Sequence, residues 1–198
     1  MMDDIVRQAM AKWPNVPAVY GWLSLSRRGE WRIKSERISN PIVTEFINRN
    51  YTHDEQGHWF FQNGPQRVYA LLDYTPLIYR YADNQQIETH TGSQVQHFDN
   101  AFIDEAGSLL LNSPLGIGVI DDRDLDKFLS LLVDQNGEAL TPAAVEKLSQ
   151  LVPARWRDLF LKTEKGALLV ENILTAEVAT RFGFNPNPRQ SEGEEECH

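Results

Sequence analysis

The sequence contains a single cysteine, Cys197, so it cannot form a disulfide within the chain. A fold without disulfides agrees with a reducing compartment, where thiols stay reduced. No apolar run approaches the roughly 20 residues that a membrane-spanning helix needs. The first thirteen residues lack the basic start and the continuous apolar core of a secretory signal. We therefore expect a cytoplasmic protein that does not enter a membrane.

Positive charge is also scarce. The chain has 19 lysines and arginines against 28 aspartates and glutamates, a formal net charge of −9. Four glutamates and Arg189 near the C-terminus contribute −3 of this, which leaves −6 on the rest of the chain. Affinity for nucleic acid comes mainly from lysines and arginines that neutralise phosphates, and no basic stripe is present. The composition therefore argues against nucleic acid as a partner.

Motifs of known chemistry are missing as well. No Gly-x-Ser-x-Gly elbow supplies a nucleophile. His90, His97 and Asp99 are metal-type ligands, but their spacing matches no standard metal motif. The Gly-x-Gly at Gly116 and Gly118 leads into a strand, whereas a dinucleotide-binding loop opens a helix. The sequence therefore predicts no catalytic residue, no metal site and no cofactor.

What the chain does contain is a series of short apolar runs separated by turn residues. With 198 residues, 41% hydrophobic and 24% charged, it fits an ordinary globular protein. Strand-type runs recur about every ten residues between positions 20 and 120. Helices are expected at Met1–Trp13, after the Asn40 cap, and from Asp121 to Val133. We predict an α+β fold with an antiparallel β-rich body, flanking helices and a helical C-terminal extension.

The predicted organisation is one compact domain over residues 1–184, with a bilobal arrangement left open. Its units lie around 20–80 and 85–135, followed by the helical extension at 138–184. Three helices and one strand are expected in this extension, at Thr141–Leu151, Arg155–Phe160, Thr175–Phe182 and Ala167–Val170. Residues 185–198 are polar, acidic and proline-bearing, which predicts a disordered tail.

One pattern occurs twice at an offset of 50 residues. In residues 54–73, an acidic turn with glycine precedes an apolar strand, a corner at Asn63-Gly64-Pro65, and a second apolar strand that ends on aspartate. Residues 104–121 repeat this order, with one residue fewer before the corner at Asn112-Ser113-Pro114. Such self-similarity is what an internal duplication leaves in a sequence. We predict that both segments adopt the same strand–corner–strand shape.

Four segments carry a resemblance to a known group of proteins: Gly29-Glu30-Trp31-Arg32-Ile33, Asn40-Pro41-Ile42, Gly57-His58-Trp59-Phe60 and Gln62-Asn63-Gly64-Pro65-Gln66-Arg67-Val68. In this order they resemble an uncharacterised bacterial family of domains of unknown function, with repeated strand-and-helix units and a suggested part in signalling. The resemblance covers about residues 20–133. It implies a duplicated α+β fold and transfers no functional residue.

The corner formed by Asn63, Gly64, Gln66 and Arg67 is the predicted ligand-binding site. An Asn-Gly pair readily takes positive φ, and successive backbone N–H groups in such a turn form an anion-binding nest. Arg67 adds a guanidinium on the same side. The simpler alternative is a structural turn in which Arg67 pairs with a nearby acid.

The functional prediction is a non-enzymatic cytosolic binding or interaction module with a regulatory or signalling role. Its partner would be a small anionic ligand or another protein. The alternative is an enzyme of unrecognised class that uses a polar cleft on the β-rich body. Adjacent acids such as Asp54 and Glu55 do not favour it, because such residues are ordinarily solvated turn residues and not an acid–base pair.

Overall fold

The computed structural model describes residues 3–13, 16–82, 86–141 and 158–190. The chain divides into two compact units. Unit 1 comprises Met1–Pro76, His90–Gly92 and Gly183–His198, and unit 2 comprises Leu77–Thr89 and Ser93–Phe182.

Unit 1 is built on a six-stranded sheet with the order β3-β2-β1-β6-β5-β4. Its elements are α1 (Asp4–Lys12), β1 (Val19–Leu25), β2 (Trp31–Ile33), β3 (Glu36–Arg37), α2 (Pro41–Arg49), β4 (Tyr51–His53), β5 (Trp59–Asn63) and β6 (Gln66–Leu72). The start of α2 follows the sequence prediction. Asn40 Oδ1 accepts the N–H of Ile42 at 2.9 Å, and Pro41 occupies the first turn, where its missing N–H costs nothing.

Unit 2 is built on an eight-stranded sheet with the order β12-β13-β14-β9-β10-β11-β7-β8. Its elements are β7 (Leu77–Tyr81), β8 (Ile87–Thr89), β9 (Asn100–Ile103), β10 (Leu109–Ser113), β11 (Gly116–Ile120), a 3₁₀ helix (Asp122–Asp124), α3 (Leu125–Leu129), β12 (Leu132–Val133), β13 (Phe160–Thr163), β14 (Gly166–Asn172) and α4 (Thr175–Arg181). The core of this unit contains the fully buried Phe102, Leu110 and Leu111.

The α+β class is confirmed, but the prediction of an antiparallel body is wrong because both sheets are mixed. In unit 1, β1 pairs in parallel with β6, while the other neighbouring strands are antiparallel. In unit 2, the parallel pairs are β7 with β11 and β9 with β14. Parallel neighbours need a long crossover connection. The chain supplies it by running from β1 through α2, β4 and β5 before β6 returns beside β1.

The prediction of a helical extension is partly wrong over the residues that the structure describes. The expected strand and the expected last helix are present as β14 and α4, but a further strand, β13, begins where a helix was expected to end. β13 and β14 form an antiparallel hairpin, so Phe160 begins a strand instead of ending a helix. The helix expected to reach Val133 ends at Leu129, since Leu132 and Val133 pair with Leu161 and Phe160. Short apolar runs do not distinguish a strand from a buried helix turn. The expected helix at 141–151 lies, after its first residue, outside the described residues.

The predicted disordered tail needs a correction at its beginning. Residues 185–190 are described, and the Asn185 N–H donates to Gly57 O at 3.0 Å. The Leu72 N–H donates to Pro186 O at 2.9 Å, and Phe184 is buried. These backbone bonds fasten Gly183–Pro186 beside β5 and β6 inside unit 1. Residues 191–198 lie outside the described residues.

The β5–β6 and β10–β11 hairpins have the same pairing at an offset of 50. Phe60 is opposite Tyr69 as Leu110 is opposite Val119, and each first strand has five residues followed by a two-residue loop. No residue is dropped before the second loop: Pro65 is the second residue of its loop, whereas Pro114 is the first. An origin of the two hairpins by duplication stays a prediction.

Candidate functional site

A loop of the same construction precedes each of these two hairpins. Asp54 Oδ1 accepts the N–H groups of Gln56 and His58 at 3.0 and 2.9 Å. Asp104 Oδ1 accepts those of Ala106 and Ser108 at 2.9 and 2.7 Å. The glycine that follows three positions after each aspartate has φ of +76° or +80°, a region that favours glycine. The hydrogen bonds and the positive φ of the loop account for the aspartate and the glycine, but they do not account for His58 or Ser108, which follow the glycine.

The side chains that follow the loops differ between the two hairpins. Residues at positions 58, 60, 62, 67 and 69 have their counterparts 50 positions later: His58 with Ser108, Phe60 with Leu110, Gln62 with Asn112, Arg67 with Ile117, and Tyr69 with Val119. Since unit 2 forms the same hairpin without histidine, arginine or aromatic residues at these positions, the hairpin does not require them. Phe60, Gln62 and Tyr69 are nonetheless buried, so they also belong to the core of unit 1.

These five residues lie on one face of the β5–β6 hairpin, which we call the Tyr69 face (His58, Phe60, Gln62, Arg67 and Tyr69). Alternation along paired strands places them on the same side. The Phe60 and Tyr69 rings have centroids 5.5 Å apart. The Arg67 guanidinium carbon lies 4.8 Å from the Phe60 centroid, and the His58 ring lies 5.8 Å from that of Tyr69. The face thus joins a cation and an imidazole through two aromatic rings.

At one end of the Tyr69 face, Asp54 holds two side chains. His58 Nδ1 and the Tyr69 hydroxyl each lie 3.3 Å from Asp54 Oδ2. Burial raises the pKa of Asp54, but the N–H groups of His58 and Gln56, the His58 charge and the Tyr69 hydroxyl together lower it below its usual range. The carboxylate is therefore charged at neutral pH and orients the imidazole through Nδ1. With Nδ1 engaged, Nε2 is the atom that His58 presents to another group.

At the other end of the face lie the four residues predicted from the sequence. Asn63 is exposed at the end of β5, and Gly64 begins the two-residue loop with φ of +57°. The Gln66 amide donates to Pro17 O at 3.0 Å, so that side chain turns toward the segment before β1. Arg67 is exposed and stacks on Phe60. Within the described part of the chain, no acid forms an ion pair with Arg67, which disagrees with the simpler structural alternative.

Gln62 is a buried polar residue of the Tyr69 face that the sequence analysis did not single out. Only 1% of it is exposed, and its Nε2 donates to Gly64 O at 2.9 Å. Its Oε1 is buried and has no hydrogen-bond partner among the described residues. The available signal was a single polar residue at the end of the apolar run Trp59-Phe60-Phe61, where a buried amide is unusual.

The residues with metal-type side chains are dispersed. His97 Nε2 lies 3.3 Å from Asp99 Oδ1 in unit 2, while His90 belongs to unit 1, where its ring is 5.6 Å from that of Trp31. Across residues 3–13, 16–82, 86–141 and 158–190, no group of three or more histidine, cysteine, aspartate or glutamate side chains is arranged to hold a metal ion. No described helix is both long enough and apolar enough to cross a membrane.

Comparison with known proteins places the chain in a family. A family model named DUF2944, described as a protein of unknown function (DUF2946), matches residues 2–189. The chain belongs to this family. The resemblance to a family of unknown function is thereby confirmed, and membership of DUF2944 brings no reaction or ligand with it. No curated protein matches.

One solved structure is similar to part of the chain. It is the crystal structure of a DUF1285 family protein from Silicibacter pomeroyi DSS-3, with 15% sequence identity and a TM-score of 0.47. The match covers 60% of this chain and 74% of that one. A likeness at this level carries no argument about function.

Proposed function

We propose that unit 1 is a non-enzymatic module that binds a small anionic ligand through Arg67. The observation that supports this most is the setting of that side chain. In a chain with a net charge of −9, Arg67 is exposed, lies against an aromatic ring and has no acidic partner among the described residues. An anion at this position does not have to displace a carboxylate.

Other arginines of unit 1 make the contrast clear. Arg32 lies 3.2 Å from Asp73, Arg37 lies 3.2 Å from Glu30, and Arg49 lies 3.3 Å from Asp3. Each of these guanidinium groups is at least partly neutralised by its own acid. Arg67 is instead held over Phe60, which is 4% exposed, so its position is restrained by a cation–π contact and not by an ion pair with an acid.

The loop beside Arg67 supplies the second part of the proposed site. The positive φ of Gly64 is the conformation in which neighbouring backbone N–H groups converge on an anion. Because Pro65 has no N–H and Asn63 pairs with Gln66 across the hairpin, Gly64 supplies the backbone donor of this loop. The exposed Asn63 side chain adds an amide donor, and Gln66 follows the loop beside Arg67. A protein partner that offers a carboxylate would present the same chemistry to these donors.

The wider setting of the proposal follows from the composition. We place the module in the cytosol because the chain has one cysteine, and away from nucleic acid because acidic residues are in excess. The regulatory role that we propose rests on the sequence resemblance alone. We also propose that residues 1–184 form a single domain of two lobes, and that the two hairpins derive from one duplicated unit. On this view unit 1 acquired the Tyr69 face, while unit 2 has neither a charged nor an aromatic residue at the same positions.

Calorimetric titration with inorganic phosphate tests the proposal. Replacement of Arg67 by Ala should weaken phosphate binding roughly 10–100-fold, because a hydrogen bond to a charged group contributes about 1.5–3 kcal/mol. Arg67→Lys should retain part of the affinity, since it keeps the charge but not the fork. The control is Arg37→Ala, which removes an exposed but ion-paired arginine of the same unit and should change affinity less than about twofold. Equal binding by wild type and Arg67→Ala would refute the proposal.

A second candidate function is favoured by the contact between Asp54 and His58. A carboxylate that holds Nδ1 and leaves Nε2 available is the arrangement of a general base. Turnover of p-nitrophenyl acetate or p-nitrophenyl phosphate that His58→Gln abolishes, with the fold preserved, would support an enzyme. Absence of turnover together with phosphate binding would leave the binding module as the function.

A further inference from the structure

The hairpin of β2 and β3 in unit 1 has a loop of unusual composition. Ile33 pairs with Glu36, so Lys34 and Ser35 form a two-residue loop, with φ of +47° and +73°. Loops of this length with positive φ at both positions ordinarily contain asparagine, aspartate or glycine, because other residues are strained there. A lysine kept in such a conformation therefore calls for a reason other than the stability of the loop.

The Lys34 side chain lies over an exposed tryptophan. Its Nζ is 3.9 Å from the centroid of the Trp22 ring, and its backbone N–H donates to Trp22 O at 2.8 Å. Trp22 is 44% exposed. Just before it, Gly21 has φ of +74°, and the pairing of β1 with β6 shifts register between Val19 and Leu23. Such an irregularity changes the direction of neighbouring side chains, and a tryptophan left half exposed beside a cation is a typical anchor for a partner.

Two arginines lie on the same side of the sheet as Trp22. Alternation along β1 places Ser24 on that side, Ser24 pairs with Arg32, and Arg32 pairs with Arg37. Like charges directly opposite each other destabilise a strand pair, although Glu30 relieves part of this repulsion at 3.2 Å from Arg37 and 3.9 Å from Arg32. We call this surface the Trp22 face (Trp22, Arg32, Lys34 and Arg37).

The charge of the Trp22 face is opposite to that of the rest of the chain. Residues 27–37 contain five basic and two acidic residues, a net charge of +3, which leaves −12 on the remaining residues. An acidic partner is therefore repelled elsewhere and oriented toward this face. Acids also lie among the cations, since Glu30 contacts both arginines and Arg32 lies 3.2 Å from Asp73. A polyanion such as nucleic acid meets these carboxylates, whereas a protein segment with a few acidic side chains can avoid them.

We infer that the Trp22 face binds an acidic segment of a partner protein, in which carboxylates flank an apolar side chain. The apolar side chain packs against the exposed part of the Trp22 ring. The carboxylates pair with Lys34, which is exposed, and with Arg37, whose side chain is 68% exposed. This surface is separate from the anion site proposed at Arg67 and does not depend on it.

Selection of a displayed library of random peptides on the full chain tests the inference. Enriched peptides should combine aspartate or glutamate with a large apolar residue, and their affinity is then measured by fluorescence anisotropy. Trp22→Ala should weaken binding roughly 10-fold or more, and Lys34→Asn, which suits positive φ but removes the cation, about 3–10-fold. The matched control is Trp13→Ala in unit 1, because Trp13 is 51% exposed and has Lys12 Nζ 4.5 Å from its ring centroid. It should change the affinity less than about twofold.

The outcomes distinguish the occupants of the face. Failure to enrich acidic peptides, or equal binding by wild type, Trp22→Ala and Lys34→Asn, would overturn the inference. If Trp22→Ala does not fold, as judged by circular dichroism, Lys34→Asn decides. A labelled single-stranded RNA that binds wild type but not these variants would assign the face to nucleic acid instead. Peptides bound only by a chain that lacks residues 191–198 would make this acidic tail the occupant. Phosphate titration of the same variants shows whether the anion site fails independently.

Discussion

Replacement of Gly57 by Ala tests how unit 1 holds its C-terminal segment. Gly57 has φ of +76°, and an added Cβ would lie 2.0 Å from Gly183 O and 2.9 Å from the Cα of Phe184. These are backbone atoms, so no side-chain rotation relieves the overlap. The substitution therefore has to push residues 183–186 away from the loop. That movement breaks the hydrogen bond from the Asn185 N–H to Gly57 O. The next hydrogen bond along the segment, from the Leu72 N–H to Pro186 O, is expected to break with it.

The expected loss of stability has two parts. Positive φ at a residue with a Cβ costs roughly 1–2 kcal/mol. Loss of two backbone hydrogen bonds at about 0.5–1.5 kcal/mol each, and partial exposure of Phe184, adds about 2–4 kcal/mol. Gly107→Ala provides the matched control, because Gly107 has φ of +80° in an equivalent loop with nothing within 4 Å of the added Cβ. It should cost only the first part.

The assay is urea unfolding followed by circular dichroism, with hydrogen exchange at Leu72 and Asn185 to identify the affected region. Gly57→Ala should destabilise the protein by at least about 2 kcal/mol more than Gly107→Ala, and both amides should lose protection. If the two variants differ by less than about 0.5 kcal/mol, the segment does not contribute to the stability of unit 1 and the reasoning from the 2.0 Å contact is wrong.

Two further predictions concern the chain end and the core of unit 2. Deletion of residues 191–198 should change Tm by less than about 1 °C, because this stretch is polar and acidic, whereas deletion of 184–198 should lower Tm by at least about 5 °C through loss of the Phe184 and Pro186 contacts. Tyr79→Phe should cost roughly 1–2 kcal/mol in urea unfolding, because the Tyr79 hydroxyl lies 2.8 Å from Ser113 Oγ and donates to Gly116 O at 2.6 Å. Burial raises the pKa of Tyr79 to about 12, so the stability that this residue contributes should be present below pH 10 and fall between about pH 10 and 12. The Phe variant should lack this part of the loss of stability at alkaline pH. An identical loss in both proteins would contradict the prediction.

Local features of this fold were predictable because their causes are local. Asn40 and Pro41 mark the beginning of α2 through capping and a fixed φ, and the structure shows the cap. The apolar run at Trp59, bounded by Gly57 and by the Gly64 loop, predicts a hairpin strand, and β5 is such a strand. In each case the residues that specify the feature are within a few positions of it.

Strand order could not be predicted in the same way. The parallel pairing of Leu25 with Leu72 joins residues separated by two hairpins and a helix. No short sequence pattern indicates that β6 pairs with β1. β14 was predicted as a strand, but β13 was missed and its first residue, Phe160, was assigned to a helix, because a short apolar run fits either type of element until its partner is known. The exposure of Arg67 beside its turn was predictable from the sequence, whereas the burial of Gln62 was not, because it depends on what packs against that face of the strand pair.

The two hairpins together separate what the fold needs from what it does not. The aspartate and glycine of each loop are explained by backbone hydrogen bonds and positive φ, and both hairpins have them. At the next positions unit 2 has Ile117 and Val119, which are β-formers and are buried or nearly so. Arg67 and the unsatisfied amide of Gln62 are less favourable choices for a strand pair that only has to be stable. The anion site that we propose would give the exposed Arg67 a role that stability alone does not.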